Sequence, residues 1–240
     1  MKKLFFAILV LMFGINSLAQ DYHWAGVGFL GDYEKRELLY PVAAKVFDDK
    51  SCNGTSCFEV YSRNVFANKN IANGTVKLTQ AEANTSTIGV ALGISYERLI
   101  VDKTPDSEHT DKSILNNIVI FGNLIFMDLD KNTLLGAVPT YISYHEAANH
   151  SMTLEEREDI TRKLLTGNEL GINLAQDALA RAQSYILSSN QIMRAQISNV
   201  NMDTEAKKIL NLTDQEEQFL TLQIAQISEG VLMNKSSIQM

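Results

Sequence analysis

The chain reads as an α+β protein with sandwich-like α/β packing: a mixed sheet with helices in the N-terminal part, followed by an all-helical C-terminal part. Two observations predict this. Three long apolar, β-branched runs bounded by turn residues, Ile88–Val101, Ile118–Leu129 and Leu134–Tyr144, lie in the first part, and such runs read as strands. From Thr153 onward the apolar residues recur at helical spacing instead. Composition agrees. The 240 residues are 45% hydrophobic and 20% charged, values that exclude collagen-like, coiled-coil and fully disordered chains. The sequence divides into a signal peptide (1–19), a strand-rich α/β domain (20–150), a helical region packed on it or forming a subdomain (151–235), and a tail (236–240).

The first segment is an address. Lys2 and Lys3 precede Leu4–Phe13, an unbroken apolar run of about ten residues, the length of a signal-peptide core. Gly14, Ser17 and Ala19 suit a cut after Ala19. The run is shorter than the ~20 residues a membrane span needs, and no later segment is long and apolar enough to span. The expectation is a bacterial protein exported through a cleaved signal peptide, periplasmic or secreted, with no transmembrane span in the mature chain.

Cys52 and Cys57 lie too late for lipid attachment at the cut. In an oxidising compartment they read as a local disulfide. A zinc site would need two more ligands nearby, and a redox-active pair has two intervening residues rather than four. The net charge of −7 argues against nonspecific nucleic-acid binding, which needs a basic face.

The elements follow in order. Trp24–Leu30 is a short apolar run with glycines, read as a strand. Glu34–Asp49 carries helical spacing at Leu38, Leu39, Val42, Val46 and Phe47; Pro41 lies inside it, so the helix begins near the proline or kinks there. Phe58–Val65 alternates and reads as a strand. Residues 76–86 have the composition of a second short helix. Asp102–Ser113 is charged, contains Pro105, and reads as a solvated loop. Asp128–Thr133 has tight-turn composition and predicts an antiparallel hairpin. Thr153-Leu-Glu-Glu156 is a capping box, followed by Ile160, Leu164 and Leu165 and then a break at Gly167 and Asn168. Leu174, Ala175, Ala178, Leu179, Ala182 and Ile186 form a small-residue stripe suited to close packing. Residues 190–202 read as a strand or an extended linker, and Asp203–Leu210 as a short helix. Thr213–Glu216 is a second capping box, preceding a stripe at Leu220, Ile224, Ile227 and Val231.

Across residues 23–145, the order of strand, helix, strand, possible helix, long strand and hairpin resembles the N-terminal domain of TolB and the curli secretion channel family. The residues that carry the resemblance are a strand ending near an arginine, Phe58–Arg63, and a late hairpin with an acidic turn, Ile125-Phe-Met-Asp-Leu-Asp130 followed by Thr133. The lipid-anchor cysteine usual in that family has no counterpart here. The resemblance implies envelope assembly or binding rather than catalysis.

Several constellations look chemical and are not. His145-Glu-Ala-Ala-Asn-His150 spaces its histidines five apart; a zinc-protease helix needs four, which puts both rings on one face, so the segment reads as a connector. Asp128-x-Asp130-x-Asn132 opens like a calcium loop, but Thr133 and Pro139 stand where that loop needs glycine and glutamate; a hairpin turn is the first reading and a calcium site of another geometry the second. Asp106–Asp111 reads as solvated charge, and His23 as part of a terminal strand. Gly26-Val-Gly28-Phe-Leu-Gly31 reads as a strand and its exit turn, since the third glycine of a dinucleotide fingerprint comes one residue early. No Gly-x-Ser-x-Gly elbow or P-loop is present, and the Asn-x-Ser/Thr triplets read as composition. No cofactor or metal site is expected, and no catalytic residue can be named. The function expected is a non-enzymatic envelope component that binds envelope or secretion-system proteins. The alternative is a periplasmic or secreted hydrolase whose site assembles only in space.

Overall fold

The structure is a computed structural model. It describes residues 20–31, 33–79, 87–103, 114–167, 169–187 and 200–210, with residues 217, 220, 221 and 224 beyond them. The signal peptide, most of the Asp102–Ser113 loop, the Asp106–Asp111 cluster, most of the 190–202 stretch and the Thr213–Glu216 capping box lie outside the described residues.

Six strands make one mixed sheet: β1 (Gln20–Phe29), β2 (Asn70–Ile71), β3 (Gly74–Lys77), β4 (Ile88–Lys103), β5 (Ile114–Asp128) and β6 (Thr133–Ala148), in the order β2-β3-β1-β4-β5-β6. β1 runs parallel to both β3 and β4. β4, β5 and β6 form an antiparallel meander, and the acidic turn joins β5 to β6 as the sequence predicts. The α-helices are α1 (Arg36–Leu39), α2 (Ala43–Asp48), α3 (Cys57–Phe66), α4 (Leu154–Thr166), α5 (Leu174–Gln183) and α6 (Thr204–Leu210).

Three expectations need correction. The all-helical C-terminal part is not what the structure shows. α4 touches α2 and α3, and α5 touches α3 and α4. α3 lies against β1, and α5 covers β5 and β6. Leu164, Leu165, Leu174, Ala175, Ala178 and Ala182 therefore join Tyr22, Phe58, Val90, Leu92, Ile120, Leu124 and Phe126 in one core. The result is a six-stranded mixed sheet with helices, an α+β arrangement. Second, Phe58–Val65 is helix α3. Phe58, Ser62 and Phe66 are its buried residues, spaced four apart, so the helical period prevails over the short alternation. The strand on which the family resemblance leaned is thus a helix. Third, the expected helix at residues 76–86 gives way at its start to β3, which ends at Lys77; residues 80–86 lie outside the description.

Other local readings hold in part: the stripe read through Ile186 ends at Ala182, because α5 stops at Gln183 and Ile186 is exposed. Pro41 separates α1 from α2. Thr153 Oγ1 accepts from the Glu156 N–H at 3.2 Å, and the Glu156 carboxylate accepts from the Thr153 N–H at 2.7 Å, which completes the capping box. Asn173 caps α5 by accepting from the Ala175 N–H at 2.9 Å. The stripe of α5 lets it approach closely. A Cβ on Gly122 of β5 would stand 2.8 Å from the Gly93 backbone oxygen and 3.4 Å from Leu174 of α5, so only glycine fits beneath the helix.

A buried ion pair fastens the sheet to the helical layer. A β-bulge between Ile94 and Tyr96 turns Glu97 toward the helices. Its side chain is 0% exposed and takes a 2.6 Å bond from Arg157 of α4, itself 17% exposed. The other carboxylate oxygen accepts from the N–H groups of Val42 and Ala43 at 3.2 and 2.8 Å. Those are otherwise orphan donors at the start of α2, so one carboxylate holds three elements together.

Candidate functional site

The site grows out of β6, an edge strand. In an antiparallel ladder, residue pairs alternate between those whose backbone groups face each other and those whose groups face away. The Tyr141 N–H donates outward, to Asp177 Oδ2 of α5 at 3.2 Å. By alternation, Pro139, Ser143, His145 and Ala147 also present their backbone outward. Pro139 has no N–H to present, which is how proline enters an edge strand. Pro139 and Asp177 therefore blunt the middle of the edge, a known defence against unwanted pairing. Beyond them, at Ser143, His145 and Ala147, the outward backbone groups have no partner among the described residues.

The Asp177 that blocks the edge also organises what lies beside it. Its Oδ2 accepts from Thr140 Oγ1 at 2.6 Å and from Arg181 Nε at 2.6 Å. Arg181 is thereby held with its guanidinium 5.0 Å from the centre of the Tyr141 ring, and the Asp177 hydrogen bond pushes it further up from its ordinary value. Tyr141 stacks on Phe121 at 5.7 Å, and Phe121 meets Tyr96 edge-on at 5.6 Å. One row of guanidinium, phenol, phenyl and phenol therefore crosses β6, β5 and β4 on the sheet face opposite the helical layer. Phe121 is 40% and Tyr141 51% exposed. At the Arg181 end the row opens into a cleft of about 440 Å³ between β6 and the start of α5, lined by Tyr141, Ser143, Ile172, Gln176, Asp177 and Arg181 among others.

The residues singled out from sequence sit elsewhere. Cys52 and Cys57 form the expected disulfide, with an S–S distance of 2.08 Å and Cα atoms 5.1 Å apart. It closes the turn leading into α3. His145 lies within β6, exposed and bonded to Ser143 Oγ at 3.1 Å, so the connector begins only after Ala148. His150 is in that connector and pairs with Glu156 at 3.1 Å. The two histidines do not converge. Asp128 Oδ1 accepts from the N–H groups of Asp130 and Lys131, and Asp130 Oδ2 accepts from the Thr87 N–H, so both carboxylates are spent on the hairpin. Among the described residues no group of three or more His, Cys, Asp or Glu could hold a metal. His23 sits on β1, against the Thr79 carbonyl at 2.7 Å. No helix among the described residues is long and apolar enough to cross a membrane, which together with the disulfide is compatible with export.

The sequence reading missed Tyr96, Phe121, Tyr141, Asp177 and Arg181. One signal was there: Pro139 inside an otherwise strand-like run marks an edge.

Comparison with known proteins adds little. No protein-family model matches the chain, and no curated protein matches it. Among solved structures, the chain is similar to a protein described as a neuraminyllactose-binding hemagglutinin homolog from Helicobacter pylori. The identity is 8%, covering 65% of this chain and 81% of that one, with a TM-score of 0.34. A likeness at that level carries no argument about fold or function.

Proposed function

We propose that this is an exported, non-enzymatic component of the bacterial envelope that works by binding other proteins of the envelope or of a secretion system. One observation carries the reading: the aromatic row on the outer sheet face. Its exposed part, Phe121 and Tyr141 backed by the buried Tyr96 and rimmed by an arginine, has the composition of protein recognition surfaces. The signal-like N-terminus and the disulfide support the address rather than the activity. A hydrolase would draw its acid or base from the cleft, and there Asp177 Oδ2 already accepts from three donors. The test is a photocrosslinking residue placed at Phe121 in the full-length protein expressed in cells, with the exposed Leu154 of α4 as control. Discrete products with an envelope protein are expected from position 121 and not from 154, and Tyr141→Ala should weaken them. Equal products from both positions, or none from 121, would overturn the reading.

A further inference from the structure

The binding reading leaves the chemistry of the partner open, and the open part of the β6 edge narrows it. Ser143, His145 and Ala147 each present an outward N–H and C=O without a partner among the described residues. The stretch spans about 17 Å at the rise of an extended chain. It ends abruptly at Tyr141, whose outward N–H belongs to Asp177, and at Pro139, which has none. A strand added here can run along residues 147 to 143 and no further. Where it must stop lies the cleft, and in the cleft stands Arg181, its side chain 41% exposed and its plane fixed by Asp177 and Tyr141.

For a strand added antiparallel, β6 sets which end meets the cleft. β6 runs from Thr133 to Ala148. A strand added antiparallel to it begins opposite Ala147 and finishes beside Tyr141, so its C-terminal end arrives at Arg181. We infer that this edge takes up the extended C-terminal tail of a partner polypeptide by antiparallel strand addition, with the tail's free carboxylate received by Arg181. The inference rests on the protein-binding reading and deepens it. Main-chain bonds supply sequence-tolerant affinity in such pairing, and a guanidinium is suited to a planar carboxylate. The adjoining Tyr141 ring and the Ile172 side of the cleft offer apolar contact to the last side chain.

Arrays of random octapeptides, made in matched free-acid and C-terminally amidated sets, test this on the intact mature protein. The free acids should bind about tenfold more tightly than the amides, the worth of one charge-assisted hydrogen bond. Arg181→Gln should erase that difference while leaving amide binding in place, and Arg181→Lys should restore part of it. His145→Pro removes an outward donor as Pro139 already does, and should abolish binding of both sets without a change in thermal unfolding. N-methylation of alternate amides in a bound peptide leaves the protein untouched and should abolish binding in one parity and spare it in the other. Equal binding of acids and amides, insensitivity to peptide N-methylation, or no peptide binding would overturn the inference. So would a concentration-dependent dimer removed by His145→Pro, since the occupant is then a second copy. If the crosslinks at position 121 persist while the arrays stay silent, only the edge inference falls; if both fail, the binding reading falls with it.

Discussion

Replacing Glu97 by glutamine tests how the sheet is locked to its helices. The change keeps the shape and removes the charge. At an effective dielectric of about 20, charges at this separation interact by roughly 6 kcal/mol before solvation is counted. Arg157 keeps 17% exposure and can recover some hydration, so the whole of that is not lost. The glutamine oxygen can serve either Arg157 or the α2 N–H groups, and its NH₂ then faces the other donors. One side of the three-way contact is left donor against donor. Removing one partner of a buried pair typically costs about 3–5 kcal/mol, and the partial exposure of Arg157 argues for the lower half, about 3–4 kcal/mol. For a domain of this size that corresponds to a drop in Tm of roughly 10 °C. Urea unfolding with an unchanged m-value should read the loss directly. Arg157→Met alone should cost less, because Glu97 keeps its two backbone donors at the start of α2. Combining both changes should cost less than their sum. A loss below about 1 kcal/mol for Glu97→Gln would show that the pair behaves as a surface salt bridge and does not fasten the layers.

Gly122→Ala places a methyl 2.8 Å from the Gly93 carbonyl oxygen; backbone cannot swing aside, so thermal melts should show a loss of about 1–3 kcal/mol. Breaking the Cys52–Cys57 bridge by a double serine change releases only a five-residue separation. The loop-entropy cost is about 2 kcal/mol, read from urea midpoints with and without reductant; a loss of the whole fold would refute its local role. Asp128 is held below the usual carboxylate range first by the Lys131 side chain, and Glu156 first by the Thr153 N–H. A depressed folded value stabilises fully above the ordinary range near pH 4 and is lost as pH falls through the folded value. Stability should therefore decline on acidification below about pH 4, with a shallower decline in Asp128→Asn.

What could be read from the residues was what repeats. The three long strands announced themselves because β-branched apolar residues run on for many positions in Ile88–Lys103, Ile114–Asp128 and Thr133–Ala148. The Thr153 capping box was legible because both partners lie within four residues. Short elements were not. α3 has fewer than three turns and a weak alternation that suits either period until Phe66 is counted with Phe58 and Ser62. The expected all-helical C-terminal part failed for a different reason. Periodicity shows that α4 and α5 are helices with one apolar face, but not which surface that face meets. The contacts decide it: α4 meets α2 and α3, and α5 meets α3, β5 and β6.

The site was harder, because its parts come from positions 96, 121, 141, 177 and 181 and no spacing relates them. β5 is apolar on both faces, since the core face carries Ile118, Ile120, Leu124 and Phe126 and the outer face Val119, Phe121, Ile125 and Met127. With no polar alternation there was nothing to mark Phe121 as outward. The order of the strands supplies the missing information. It places β6 at an edge, and the edge gives Pro139, Asp177 and the open stretch at 143–147 a common meaning. A fully protected edge would carry its proline or its covering carboxylate near the exposed end as well. Here both devices lie in the middle of β6, and among the described residues the end nearest Ala147 has neither. Among the described residues protection stops at Tyr141, and the inferred strand addition draws its length and its end point from that.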